Sequence, residues 1–254
     1  FFTLPEDGRI YRDWKEGGHG DTNLFKAITQ SSNTYFFDLA YRSDINQLNK
    51  HLSSLGFGDK ACIDCFEEDK VFVPEPSWKM NKHNFGWFKG DTVNMGVGQG
   101  YLVSTPIQLA KYAYIMANKG KFSDLSLKKD LVKSEKSIEF NKFSNDDWFK
   151  LHESMVNVIE GNTGTARRLR ERKNYIVAAK TGTAELVSGD NREQYSETRL
   201  DDSLRDHALI IAFGPMPNPR YAVSVVVENG ESGGSVAGPV AISVLNSLIQ
   251  EWDI

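Results

Sequence analysis

The apolar pattern of this chain changes period once, near Gly161, and that change limits the fold more than any other feature. Before it, apolar residues recur at helical spacing; after it, they come in short continuous runs. Helices come first, strands second, and an apolar segment from about Val236 to Trp252 supplies a closing helix. This order predicts an α+β fold, a helical cluster packed against a mostly antiparallel sheet.

The helical half has legible boundaries. A helix is expected from about Thr22, broken at Ser31-Ser32-Asn33-Thr34, and resumed through Tyr35–Ala40. Small polar side chains compete for backbone hydrogen bonds, so this stretch reads as a helix junction. Ser43-Asp44 caps an amphipathic helix bearing Ile45, Leu48, Leu52 and Leu55, and Gly56 stops it. Residues 57–100, rich in Gly, Pro, Asp and Asn, read as irregular structure with short extended pieces. Thr105-Pro106 opens a helix with Ile107, Ala110, Ala113, Tyr114 and Ala117 facing inward. Residues 121–143 read as a solvated excursion, and Ser144 with Asp147 starts a helix bearing Trp148, Leu151, Met155 and Ile159. Strands are expected at 175–179, 207–213 and 221–227, with a polar loop at 188–205.

Composition narrows the function. Of 254 residues, 40% are hydrophobic and 25% charged, which fits a globular domain, and the net charge of −4 argues against a general nucleic-acid binder. No apolar run is long enough to span a bilayer, and the chain opens with Phe1-Phe2-Thr3, as a piece of a longer protein would. Cys62 and Cys65 lack the further ligands that a structural zinc site needs, so they read as incidental thiols.

The sharpest string is Lys180-Thr181-Gly182-Thr183, directly after the strand expected at 175–179. A cation, two hydroxyls and a glycine on a strand edge suit a carboxylate and a closely approaching carbonyl. Ser31-Ser32-Asn33 is a Ser-x-Asn, uninformative alone but placed at a helix junction upstream of Lys-Thr-Gly-Thr. Together they match two of the three signatures of the penicillin-recognising serine acyltransferases.

The strings YRDWKEGGHG (11–20), SSNTYFFDLA (31–40), GDTVNMGVGQGYLVSTPIQLA (90–110), GNTGTA (161–166), AAKTGTAE (178–185) and DHALIIAFGP (206–215) extend the likeness along nearly the whole chain. They resemble the transpeptidase domain of class B penicillin-binding proteins, and the first two resemble its elongation-specific members. The resemblance implies a penicillin-binding, serine β-lactamase-like fold over residues 1–254. It also implies a peptidoglycan D,D-transpeptidase that forms a serine acyl-enzyme with stem peptides and with β-lactams. By the same resemblance Ser31 relays protons, Asn33 bonds the substrate peptide, and Lys180 tunes the electrostatics. Thr181 and Thr183 would bind the terminal carboxylate, the Thr183 N–H would form half the oxyanion hole, and Gly182 would allow close approach. No cofactor and no nucleic acid is implied. The implied location is the periplasmic face of the bacterial inner membrane, beside a membrane glycosyltransferase and elongation-complex proteins.

Two departures qualify the resemblance. The acylated serine and its lysine form a Ser-x-x-Lys upstream of the Ser-x-Asn, yet residues 1–30 contain no serine. Ser126-Leu127-Lys128-Lys129 fits the letters but follows the Ser-x-Asn in a polar stretch, and is read as coincidence. The chain is therefore expected to lack the nucleophile segment, the N-terminal pedestal domain and the membrane anchor, and to be inactive alone. Some members of the subfamily also hold zinc near the positions of Asp13 and His19 with a Cys in the second motif. Ser32 stands there instead, so no full metal site is expected. Competing readings are a division-specific transpeptidase, a serine β-lactamase or carboxypeptidase, and a non-catalytic penicillin-sensing domain.

Overall fold

The computed structural model describes residues 1–129, 131, 134–138, 143–186 and 202–252. They form two compact units: Phe1–Ala27, Ser31–Ile115 and Gly120–Lys142 make one, and Ile28–Gln30, Met116–Lys119 and Phe143–Ile254 the other. Helices and antiparallel strands make up both, in agreement with the expected α+β class.

The first unit opens with a short pair, β1 (Phe2–Thr3) and β2 (Ile10–Tyr11); helix α1 (Leu24–Gln30), whose last three residues count with the second unit, and helix α2 (Asn33–Arg42) follow. The break between α1 and α2 falls at the polar stretch, as expected. Ser31 there adopts a left-handed φ of 55°, which costs a non-glycine residue about 1–2 kcal/mol. Helix α3 (Ile45–Ser54) is capped by Asp44, whose carboxylate accepts from the backbone N–H groups of Asn46 and Gln47. Leu4, Tyr11, Phe37 and Val93 form a small core here. The backbones of α2 and of α5 (Lys89–Met95) approach so closely that a Cβ on Gly96 would lie 2.3 Å from the Ala40 Cβ.

Residues 57–100 differ from the irregular stretch expected. They contain two helices, α4 (Pro76–His83) and α5. Their buried positions are Lys79 in α4 and Gly90, Thr92, Val93 and Met95 in α5. The polar members of that set hide the apolar period. Lys79 is tolerated inside because its Nζ donates to Asp91 Oδ2 at 2.5 Å and lies 4.7 Å from the Phe88 ring centre. A similar substitution shifts the inner face of α6 (Pro106–Ala117). Besides the expected Ala113 and Ala117, it buries Gln108, Lys111, Ile115 and Met116. Gln108 and Thr105 bond each other's backbone N–H groups in a capping box, and Gln108 Nε2 also donates to the Asp59 carbonyl at 2.6 Å.

Cys62 and Cys65 are not incidental thiols but a disulfide. Glu68 accepts from the backbone N–H of Ala61 and Cys62, and Cys62 bridges to Leu125. The turn so formed holds the two Cα atoms 5.3 Å apart, within disulfide range. In the excursion at 121–143, β3 (Lys121–Phe122) pairs with β4 (Lys136–Ser137).

The second unit carries α7 (Asn145–Glu160), a 3-10 segment (Arg167–Arg172), the sheet, and α8 (Gly238–Trp252). Ser144 and Asp147 form the expected capping box on α7. The antiparallel sheet has the order β5 (Ala178–Ala184), β6 (His207–Gly214), β7 (Tyr221–Val227). Its core joins Val158 and Ile159 of α7, Ala179, Ile210 and Ala212 of the sheet, and Ala241, Ile242 and Leu245 of α8. The strand expected at 175–179 in fact starts at Ala178 and runs through the whole Lys-Thr-Gly-Thr string. Alanines at 178 and 179 end the visible apolar run, while the polar motif continues the strand. Most of the loop expected at 188–205 lies outside the described residues.

Candidate active site

The Ser-x-Asn turn is built from residues far upstream of it. Ser32 is the N-cap of α2, yet its hydroxyl does not cap the helix. It donates instead to Asp13 Oδ2 at 3.0 Å. The same Oδ2 accepts the Thr34 backbone N–H at 3.0 Å, so Asp13 does the capping from outside the helix. Asp13 Oδ1 lies 3.1 Å from His19 Nε2, and both side chains are only 2% exposed. Burial alone would push the Asp13 carboxyl up, but the bonds from Thr34 and Ser32 and the nearby His19 outweigh it and hold the pKa below the ordinary value. Trp14 Nε1 donates to the Ser31 carbonyl at 2.9 Å. The left-handed turn at Ser31 is thereby fixed from both sides, with Asn33 as the first helical residue after it.

The trio Asp13, His19 and Ser32 does gather, as the resemblance implied for a metal position, but it does not fit zinc. Ser32 spends its proton on Asp13, and a hydroxyl cannot replace the thiolate that a four-ligand zinc site needs. Cys62, Asp64 and Cys65 also cluster, but their thiols are joined in the disulfide.

The Lys-Thr-Gly-Thr string, the third motif, lies on β5, the edge of the three-stranded sheet among the described residues. Register pairs Lys180 with Ile211, Thr181 with Ile210, Gly182 with Leu209 and Thr183 with Ala208. Strand alternation therefore sends Thr181 and Thr183 to one face and Lys180 to the other. Lys180 Nζ donates to the Thr181 carbonyl at 2.9 Å. Desolvation pushes its pKa down to about 8, so the ammonium is held where charge is costly. Thr181 Oγ1 is 2.7 Å from Thr165 Oγ1, and Thr183 Oγ1 donates to the Glu231 carbonyl at 3.3 Å.

A glycine pair seats the next segment against this strand. A Cβ on Gly233 would lie 2.2 Å from the Leu209 carbonyl oxygen and 2.6 Å from that of Gly182, and one on Gly234 would lie 2.5 Å from that of Thr165. The expected site residues thus fall into two groups, Ser31 and Asn33 in the first unit and Lys180, Thr181, Gly182 and Thr183 in the second. Sequence reasoning did not single out Asp13 as the acceptor for the Ser31 turn, or Thr165 as the partner of Thr181. The GNTGTA string flagged Thr165's neighbourhood without giving it a role.

Ser126 behaves as a loop residue. Its hydroxyl donates to Asp64 Oδ2 at 2.8 Å, and Lys129 follows it in a non-helical stretch, so no serine–lysine pair is formed on a helix face.

A Ser-x-Asn turn at a helix junction and a Lys-Thr-Gly-Thr edge strand, each on helices and antiparallel strands, are the local features that the family comparison can be set against. The chain belongs to the penicillin binding protein transpeptidase domain family, whose model matches residues 2–246. Within it, the chain is 36% identical over 259 residues to the peptidoglycan D,D-transpeptidase MrdA of Haemophilus influenzae, covering 99% of this chain and 40% of that protein. The Acinetobacter baumannii MrdA is 37% identical over 246 residues, covering 93% of this chain and 36% of the relative. Among solved structures, Pseudomonas aeruginosa PBP2 in complex with WCK 5153 superposes with a TM-score of 0.85 at 35% identity, covering 98% of this chain and 54% of that one. A complex of PBP2 and MreC from Helicobacter pylori gives 0.84 at 32% identity, covering 96% and 43%. The chain spans about two fifths of the length of the curated relatives it matches.

Proposed function

We propose that this chain is the second- and third-motif part of an elongation-type peptidoglycan D,D-transpeptidase. A serine, acylated by a D-alanyl-D-alanine stem peptide, releases the terminal D-alanine, and the amine of a neighbouring stem then attacks the acyl-enzyme to form the cross-link. The observation that carries this reading is the Lys-Thr-Gly-Thr edge strand in a chain so similar to MrdA proteins. Ser31 serves as proton relay and Asn33 as a contact to the substrate peptide. Lys180 supplies positive field, Thr181 and Thr183 receive the terminal carboxylate, and the Thr183 N–H is one oxyanion donor. A carboxylate is acceptor-only, so Thr181 donates its hydroxyl proton to it, and Thr183 does so by giving up its bond to the Glu231 carbonyl.

The acylated serine and its lysine partner lie outside residues 1–254, because the described Ser-x-x-Lys at Ser126 is committed to Asp64. The 254-residue chain alone is therefore inactive. The periplasmic face of the inner membrane is the fitting location. Partners are stem peptides, β-lactams, a membrane glycosyltransferase and elongation-complex proteins, of which the MreC bound to the Helicobacter PBP2 is one kind. No helix among the described residues is long and apolar enough to cross a membrane.

The test is cross-linking by the full-length protein of a donor stem peptide and an acceptor stem, followed by mass spectrometry. Cross-linked dimer with release of D-alanine, lost in Lys180→Ala, supports the proposal. Release of D-alanine by hydrolysis alone would instead support a carboxypeptidase.

A further inference from the structure

We infer that Thr165 is a positioning residue for substrate recognition, setting the direction of the Thr181 hydroxyl for the terminal carboxylate. The inference rests on the transpeptidase reading above and adds to it a residue outside the three motifs.

Two glycines and a tight loop bring Thr165 to the strand. The loop folds back on the end of α7, where the Ala166 N–H donates to the Val158 carbonyl at 2.9 Å. A Cβ on Gly164 would sit 2.3 Å from the Asn157 and Val158 carbonyl oxygens, so only glycine lets the loop lie this low. From the other side, Gly234 packs on the Thr165 carbonyl, where a Cβ would be 2.5 Å away. Clamped between these contacts, Thr165 places its Oγ1 2.7 Å from Thr181 Oγ1.

The chemistry gives the bond a direction when substrate binds. A carboxylate accepts only, so Thr181 must donate its single hydroxyl proton to it. Thr165 must then be the donor to Thr181. Its hydroxyl both keeps the Thr181 proton from turning inward and polarises that O–H toward the anion.

The experiment compares penicillin G with its methyl ester, which lacks the carboxylate, as acylating agents of the full-length protein. The second-order acylation rate is measured for wild type, Thr165→Val and Thr165→Ser. Wild type should prefer the acid. Thr165→Val should reduce that preference by about tenfold, the size of one well-placed hydrogen bond. Thr165→Ser should restore it. An unchanged preference in Thr165→Val, or an equal loss on both compounds, would overturn the inference while leaving the transpeptidase reading standing. Should the valine variant melt at a lower temperature than wild type, Thr165→Ala provides the same comparison without the second methyl. A wild-type protein acylated by neither compound would remove the transpeptidase reading and this inference with it.

Discussion

Replacing Asp13 by alanine should cost the fold far more than a surface carboxylate does. Its carboxylate receives Ser32 Oγ and the Thr34 N–H at 3.0 Å each and lies 3.1 Å from His19 Nε2, with its side chain 2% exposed. Hydrogen bonds to a buried charge contribute about 1.5–3 kcal/mol each, and an unmatched buried donor adds its own desolvation cost. These contributions are not additive, and the loss is expected at about 3–5 kcal/mol. Part of the effect is release of the Ser31 turn, whose left-handed φ no longer has a fixed neighbour on its C-terminal side. Asp13→Asn keeps one acceptor for Ser32 and Thr34 but turns an NH₂ elsewhere, so about half the loss is expected. The assay is urea unfolding followed by circular dichroism at pH 7.5. A loss below about 1 kcal/mol for Asp13→Ala, the range of exposed ion pairs, would refute the account of the turn.

Two further outcomes follow from the same side chains. Lys180 has a folded pKa of about 8 against an ordinary 10.5, so its cation opposes folding at neutral pH. That penalty, up to roughly 3 kcal/mol before allowance for partial exposure, is full below pH 8 and fades as pH rises toward 10.5. Lys180→Met should therefore be the more stable protein in urea at pH 7.5, with the gap narrowing at pH 10.5; a gap independent of pH would contradict the desolvation. Purified protein should carry no stoichiometric zinc at Asp13 and His19, because Ser32 donates to Asp13 there; elemental analysis finding about one zinc per chain, lost in His19→Ala, would overturn this.

What the sequence made legible follows from how each element signals itself. The capping box at Ser144, the helix start at Thr105-Pro106 and the break before Asn33 are local chemistry, and each lies where expected. Helices α4 and α5 show no apolar period, because Lys79 and Thr92 occupy inward positions that such a period assigns to hydrophobes. The apolar signal of the strand carrying Lys180–Thr183 ends before the strand does, since hydroxyls and a lysine continue the β pairing after the alanines. The disulfide depends on Glu68 and Leu125 shaping the turn at Cys62, which two cysteines in a row of letters do not reveal. In the site, the motif residues were visible as strings. Their supports were not, because Asp13 acts across 19 positions on Ser32 and Thr165 across 16 on Thr181.

The measurement that bears most directly on the central claim is the position of the penicillin adduct. Full-length protein and the 254-residue chain would each be incubated with a fluorescent penicillin, digested, and mapped by mass spectrometry. A covalent adduct is expected on a serine outside residues 1–254 in the full-length protein, much slower to form in Lys180→Ala, and none on the shorter chain. An adduct on Ser31 or Ser126, in either protein, would contradict both the assignment of roles and the proposal that these residues serve a nucleophile lying elsewhere.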